Sequence, residues 1–186
     1  MKELSLNILD IAMNSVKANA DTVKITLTET EEVFRMEISD NGCGMKPDFL
    51  KSVTDPFSTT RTTRNVGLGL PFLKLAAEQT GGSMGISSKH IDDYPSDHGT
   101  VTTAEFYKNN IDFTPLGDIV SSITTLIQGS PGIRWVFVHT MPNGEVSLDT
   151  DELKAVLGDD VPLDTPDVIA WVSAYLKEAY DETKNN

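Results

Sequence analysis

Three clusters of residues in this 186-residue chain have the types and spacing that could do chemistry. Asp10, Asn14 and Lys17 fall at i, i+4 and i+7, so one stripe of a helix would present a carboxylate, an amide and an amine together. Glu3 and Asn7 extend the stripe, and apolar residues flank it on both sides. Such a stripe is by default the solvated side of an amphipathic helix, but polar groups set between apolar walls also suit a ligand. The second cluster, Ser39-Asp40-Asn41-Gly42-Cys43-Gly44-Met45, follows an alternating strand pattern. Asn-Gly alone signals a turn. The functional alternative has Asp40 accepting a hydrogen bond from a purine amino group while the glycines let backbone approach a flat ring. The third runs from Thr59 to Leu70 and holds Arg61, Arg64, Gly67 and Gly69 ahead of a helical pattern. Free amides at a helix N-terminus, with hydroxyls and arginines near, suit a polyphosphate; the plainer alternative is a loop that caps the helix. Its spacing is neither G-x-x-x-x-G-K-[ST] nor G-x-G-x-x-G after a first strand, which excludes a P-loop or a Rossmann site.

These clusters need elements to hold them. Leu6, Leu9, Met13, Val16 and Ala20 recur at three-and-four spacing, predicting a helix over about 5–19 with those residues as its buried face and Ile8 and Ile11 opposite. Val23, Ile25 and Leu27, then Phe34, Met36 and Ile38, alternate as strands. A helix is expected over 70–79, ended by Thr80-Gly81-Gly82, followed by strands near 83–88 and 101–107. This order predicts an α+β sandwich, with helices on one face of a mixed sheet. Beyond it come a helix over 118–128, an apolar strand over 134–139, a turn at Pro142-Asn143-Gly144 into a strand over 145–148, and two further helices.

Charge divides the chain. Residues 1–110 carry a net −4 and residues 111–186 a net −9, out of a total of −13. The change coincides with turn-prone residues around 108–117, so the expected division is one domain over 1–110 and a small acidic α+β domain over 111–186. The acidic balance argues against nucleic acid or an anionic membrane as the main partner. Cys43 is the only cysteine, which removes a disulfide framework and any all-cysteine metal site, and it is read as a small filler. The first apolar stretch, interrupted by Asn7, Asp10 and Asn14, is neither a signal peptide nor a membrane span, and a cytoplasmic protein is expected.

The order and spacing of the three clusters resemble the Bergerat, or GHKL, ATP-binding domain shared by histidine kinases, type II topoisomerases, mismatch-repair MutL, heat-shock chaperones and anti-sigma serine kinases. Asp10-x-x-x-Asn14-Ser15 resembles the N box. The resemblance implies that Asn14 ligates Mg²⁺ on the triphosphate, that Asp10 is the general base, and that Lys17 lies near the phosphates. Asp40, Gly42, Gly44 and Met45 match the G1 box, which implies an adenine contact by Asp40. Phe57, Thr60 and Arg61 fall in a segment similar to the Phe-rich box of histidine kinases, and Gly67-Leu68-Gly69-Leu70 is similar to their G2 box. Thr100 matches a threonine near the adenine-binding Asp. The likeness covers about residues 5–108 and implies ATP and Mg²⁺ as ligands.

The departures shape the expected activity. No acceptor histidine on a dimerising helix precedes Asp10, and His90, His98 and His139 read as ordinary surface or strand-end histidines, so autophosphorylation of this chain is not expected. A carboxylate at the base position leans toward hydrolysis or serine phosphorylation, although Asp is one methylene shorter than the usual Glu. The expected protein is a Mg-ATP-binding regulator that hydrolyses ATP or passes its γ-phosphate to a protein partner with a basic docking surface. A nucleotide-gated binding module, or the ATP-binding half of a split histidine kinase, are the alternatives, and a homodimer stays open. Trp135, Phe137, Trp171 and Tyr175 are either an aromatic docking surface or, as the preferred reading, core.

Overall fold

The computed structural model describes residues 3–53, 69–158 and 160–185. In chain order the elements are α1 (Leu4–Lys17), β1 (Thr22–Glu29), β2 (Val33–Asp40), α2 (Pro47–Ser52), α3 (Gly69–Gln79), β3 (Ser83–Lys89), β4 (Gly99–Tyr107), α4 (Ile119–Gly129), β5 (Arg134–Met141), β6 (Gly144–Asp149), α5 (Thr150–Leu157) and α6 (Pro166–Lys184). The short helix α2 is not among the elements expected from periodicity. Its six residues are too few to show a helical repeat, and Pro47 at its start is the one local cue.

The six strands form one mixed sheet in the order β3-β4-β2-β1-β5-β6, with β1 and β5 parallel and the other neighbours antiparallel. Ile25 stands beside both Ile38 and Phe137, and Ile38 beside Thr102, so the alternate residues of successive strands share one face. That face is buried through Val23, Ile25, Leu27, Phe34, Met36 and Ile38, and α1 and α3 pack against it. At the other end of the layer α4 packs on α1 and on α6. The arrangement is an α+β sandwich, as expected from the order of the elements. Among the described residues no helix is long and apolar enough to cross a membrane.

Two expectations need correction. The buried face of α1 is made by Leu4, Ile8, Ile11, Ala12 and Ser15, whereas Leu6 and Met13 remain 42% and 36% exposed. The helix carries two apolar stripes. The one with the β-branched pair Ile8 and Ile11 faces the sheet, and this also turns Asn14 and Ser15 toward the end of β2.

The second correction concerns the C-terminal region, which does not pack as a separate unit. β5 adds directly to β1, with Ile25 beside Phe137, and the buried residues of both regions form a single core. The turn-prone segment at the expected boundary is a strap: the amides of Leu4 and Ser5 donate to the carbonyls of Pro115 and Leu116 at 2.9 and 2.8 Å. Those amides belong to the first turn of α1, where no intrahelical acceptor exists. Charge and turn propensity mark an exposed surface change here, and neither reports where a strand pairs.

A polar network crosses the same junction. His139 of β5 is 1% exposed, its Nδ1 is 2.8 Å from the Tyr180 hydroxyl of α6, and its Nε2 lies 3.5 Å from the Glu29 carboxylate of β1. Lys108 holds the other oxygen of Glu29 at 2.5 Å. His139 is therefore a buried cross-link, not a surface histidine. Burial holds its pKa below the ordinary imidazole value, outweighing the attraction of Glu29 for its charged form. The unfolded chain then takes up a proton at a pH where the folded chain does not. Stability should be complete above about pH 6.5, the ordinary imidazole pKa, and fall as pH drops below it toward the depressed folded value. Urea midpoints measured through this range check it. The His139→Phe variant should lose this part of the slope, and an unchanged slope would rule out His139 as its source.

Candidate functional site

A pocket of about 350 Å³ opens between α1 and the ends of β2 and β4. Three elements build it. The inward stripe of α1 contributes Ile11, Asn14 and Ser15, with Lys17 at its end. The chain leaving β2 contributes Asp40, Cys43, Gly44 and Met45. The sheet supplies Ile38, Ile86, Thr100 and Thr102, while Leu70 enters from the first turn of α3 and Phe49 from α2.

Asp40 is fixed from two sides. Its Oδ2 accepts a 2.6 Å hydrogen bond from the Ser15 hydroxyl and its Oδ1 accepts one of 2.9 Å from the Gly42 amide. A carboxylate has about four acceptor positions, so Asp40 keeps capacity for a donor in the pocket. The loop that carries it is equally constrained. Asn41 Oδ1 accepts from the amides of Asp21 and Thr22, both at 2.9 Å, and the Cys43 amide donates to the Ala18 carbonyl at 2.9 Å. His98 Nδ1 lies 2.6 Å from the Gly42 carbonyl. This histidine, read as an ordinary one, thus clamps the β3–β4 connection onto the loop. On the same side Lys46 pairs with Asp92 at 3.0 Å, and this exposed pair lowers the Asp92 carboxyl below its usual range through the hydrogen bond and the lysine charge.

Glycine is required at two places. Gly44 has φ +68°, and a Cβ there would stand 2.0 Å from the Lys89 carbonyl oxygen. Gly99 has φ +136°, and its Cβ would meet the Asp40 carbonyl oxygen at 1.9 Å. Both let β4 and its preceding loop close onto the end of β2. Thr100 stands directly beside Asp40 in the sheet, and its hydroxyl lies 2.8 Å from that of Ser88, which also accepts from the Met45 amide at 2.7 Å.

Of the residues singled out in the sequence, the pocket brings together Asn14, Lys17, Asp40, Gly44, Met45, Leu70 and Thr100. Gly42 lies behind Asp40, and Gly69 sits against α1, its Cβ position 3.2 Å from that of Asp10. Asp10 itself is exposed and does not line the pocket. Phe57, Thr60, Arg61, Gly67 and Leu68 lie outside the described residues. Cys43 is half-buried in the lining, its thiol toward the Gly44 carbonyl at 3.5 Å. Ser15 stands out in the sequence only as the neighbour of Asn14, and its hydrogen bond to Asp40 bridges 25 positions that no local pattern connects. Ile38, Ile86 and Thr102 follow from strand alternation only once the strand order is known.

The chemistry available is specific. Ile11, Ile38, Ile86, Met45 and Phe49 make apolar surface for a flat ring, with Asp40 as an acceptor at its edge. Asn14 and Lys17 stand on α1 without a side-chain partner among the described residues, one a neutral oxygen donor and the other a cation. Among the described residues no group of three His, Cys, Asp or Glu side chains forms a metal site.

A family model described as "Histidine kinase-, DNA gyrase B-, and HSP90-like ATPase" matches residues 1–110. The chain belongs to this family. Sensor protein SrrB of Staphylococcus aureus strain NCTC 8325 / PS 47 is 33% identical over 94 residues, 48% of this chain and 16% of SrrB, and SrrB of strain COL matches equally. The chain thus spans about a sixth of these sensor proteins. Among solved structures, the N-terminal domain of a DNA repair protein is similar with a TM-score of 0.59 at 17% identity, over 86% of this chain and 58% of that one. The Aquifex aeolicus MutL ATPase domain, complexed with ADP, is similar with a TM-score of 0.53 at 12% identity, over 84% of this chain and 69% of that one. Such coverage extends past residue 110, so the fold shared with these two structures takes in part of the C-terminal region.

Proposed function

We propose that the chain is a Mg-ATP-binding regulatory module that hydrolyses ATP or passes its γ-phosphate to a protein partner. The observation that carries this reading is the fixed Asp40 carboxylate, gripped by Ser15 and the Gly42 amide at one end of an apolar pocket whose other wall holds Asn14 and Lys17. In it Asp40 accepts from the adenine amino group, and the apolar surfaces hold the ring. Asn14 Oδ1 suits Mg²⁺, a hard cation that takes one or two protein oxygens beside phosphate oxygens and water. Lys17 balances phosphate charge.

For the reaction, a water or a partner hydroxyl attacks the γ-phosphorus, the bond to the β-phosphate oxygen breaks, and ADP leaves. Asp10, one helical turn before Asn14, receives the proton of the attacking oxygen. A second reading, a nucleotide-gated binding module without turnover, is favoured by one observation: Asp10 is exposed and outside the pocket lining.

Calorimetric titration with ATP and Mg²⁺ tests the binding half. Asp40→Asn turns an acceptor into a donor facing the adenine amine, and its affinity should fall by about one to two decades, the cost of unpairing a buried polar contact. Ser15→Ala should weaken binding less, because Gly42 still orients Asp40. Asn14→Ala should lose the Mg²⁺ dependence. Wild-type affinity in these folded variants would remove the reading.

A further inference from the structure

The four aromatic residues, open to a reading as docking surface or, by preference, as core, divide in two. Trp135 and Phe137 are core, whereas Trp171 and Tyr175 of α6 stay 53% and 39% exposed. Their rings stack with centroids 5.4 Å apart and planes 6° from parallel, and the Tyr175 hydroxyl donates to the Ser147 carbonyl of the edge strand β6 at 3.3 Å. This pair lines a groove of about 590 Å³ together with Val136 and Val138 of β5, on the sheet face away from the core, and Leu153 and Val156 of α5. Among the described residues, every charged residue in the groove lining is acidic: Glu145, Asp149 and Glu152. Asp149 is engaged by Arg134, but Glu152 has no ion-pair partner among the described residues. A second hollow along the same edge of β6 shares Tyr175 and adds Glu178 and Glu182, again with no Lys or Arg among the described residues of its lining.

We propose that this groove docks a basic segment of a partner protein, with large apolar side chains on Trp171, Tyr175 and the valine floor and with Lys or Arg against Glu145, Glu152 and the Glu178–Glu182 rim. Pre-stacked aromatic rings are the anchors that carry most of the energy in such contacts, since they give area at little entropic cost. The rim selects the sign of the partner. A second copy of this chain would bring an identical acidic rim to the interface, and like charge facing like charge opposes that dimer. Nucleic acid and anionic lipid are disfavoured on the same ground. The groove lies at the β6 end of the sheet and the ATP pocket beyond β1, so both can be filled together. This docking site gives the proposed partner-directed role its partner chemistry and rests on that reading. Peptide binding is measured without nucleotide, so failure of the groove and failure of the ATP site are separately visible.

The test uses the full, isotope-labelled chain titrated with an amphipathic Leu/Lys peptide and a Leu/Glu peptide of the same length. The expected result is saturable binding of the Leu/Lys peptide that weakens with added salt and shifts the indole N–H signal of Trp171 but not that of the buried Trp135. Trp171→Ala and Glu152→Lys should each reduce affinity by about tenfold or more, whereas Asp93→Lys, the same charge change in the β3–β4 connection, should not. Equal binding of the Leu/Glu peptide would overturn the proposal. So would an equal loss in Asp93→Lys, which would make the attraction one of net charge alone, or self-association of the free chain that buries Trp171.

Discussion

Replacing Asp10 by Asn is expected to leave ATP affinity at the wild-type level while cutting release or transfer of the γ-phosphate by about 10²–10⁴-fold, the usual contribution of a positioned general base. Asn keeps the size and a hydrogen-bonding group and removes only the charge that takes the proton. Asp10 is exposed on α1, so the change carries no folding cost from lost burial. It sits one turn before Asn14 and against Gly69, the first residue of α3. A triphosphate whose metal is held at Asn14 and whose end reaches the first turn of α3 would pass this carboxylate. Single-turnover measurement of labelled γ-phosphate, with and without added partner, reads the effect. Equal slow rates in wild type and Asp10→Asn would make Asp10 a polar surface residue, and the gated binding module would then be the better description.

Truncation to residues 1–110 should abolish cooperative folding. The cut removes β5 from β1, exposing a strand edge whose inward residues Val23, Ile25 and Leu27 pack in a core shared with Trp135 and Phe137. It also removes α4 from α1, and with it Ile123, Leu126 and Ile127, and the carbonyls that cap the first turn of α1. Each large apolar side chain left uncovered costs about 1.5–3 kcal/mol, and several together exceed the roughly 5–15 kcal/mol by which domains of this size are stable. Calorimetric melting checks it. A single sharp transition in the truncated chain, with ATP binding retained, would show that residues 1–110 hold a sufficient core of their own.

Local order was legible from local pattern. The alternation of Val23, Ile25 and Leu27 and of Phe34, Met36 and Ile38 marks strands because side chains one position apart point to opposite faces. The loop after Met36 and Ile38 had to be special, since two glycines around Cys43 serve no strand. The spacing of Asp10 and Asn14 put an acid and an amide one turn apart on a helix, and they are so placed. The polar types in the pocket, and the family they point to, were thus readable from residue identity and short spacing.

Residue spacing by itself determined the elements other than α2 and their order along the chain; the resemblance to the ATP-binding family implied which of them share a site. Tertiary structure alone decided which stripe of α1 is buried, since Leu6 with Met13 and Ile8 with Ile11 both satisfy a helical period. The choice depends on the sheet that the helix meets. It alone joined β5 to β1, a parallel pairing across more than a hundred positions that charge and turn propensity do not encode. It alone brought Ser15 to Asp40, His98 to Gly42 and His139 to Glu29 and Tyr180. The reason is common to all of these. Hydrophobic period is a property of a segment, whereas the partner that a buried group finds is set by which segments the shared core brings together.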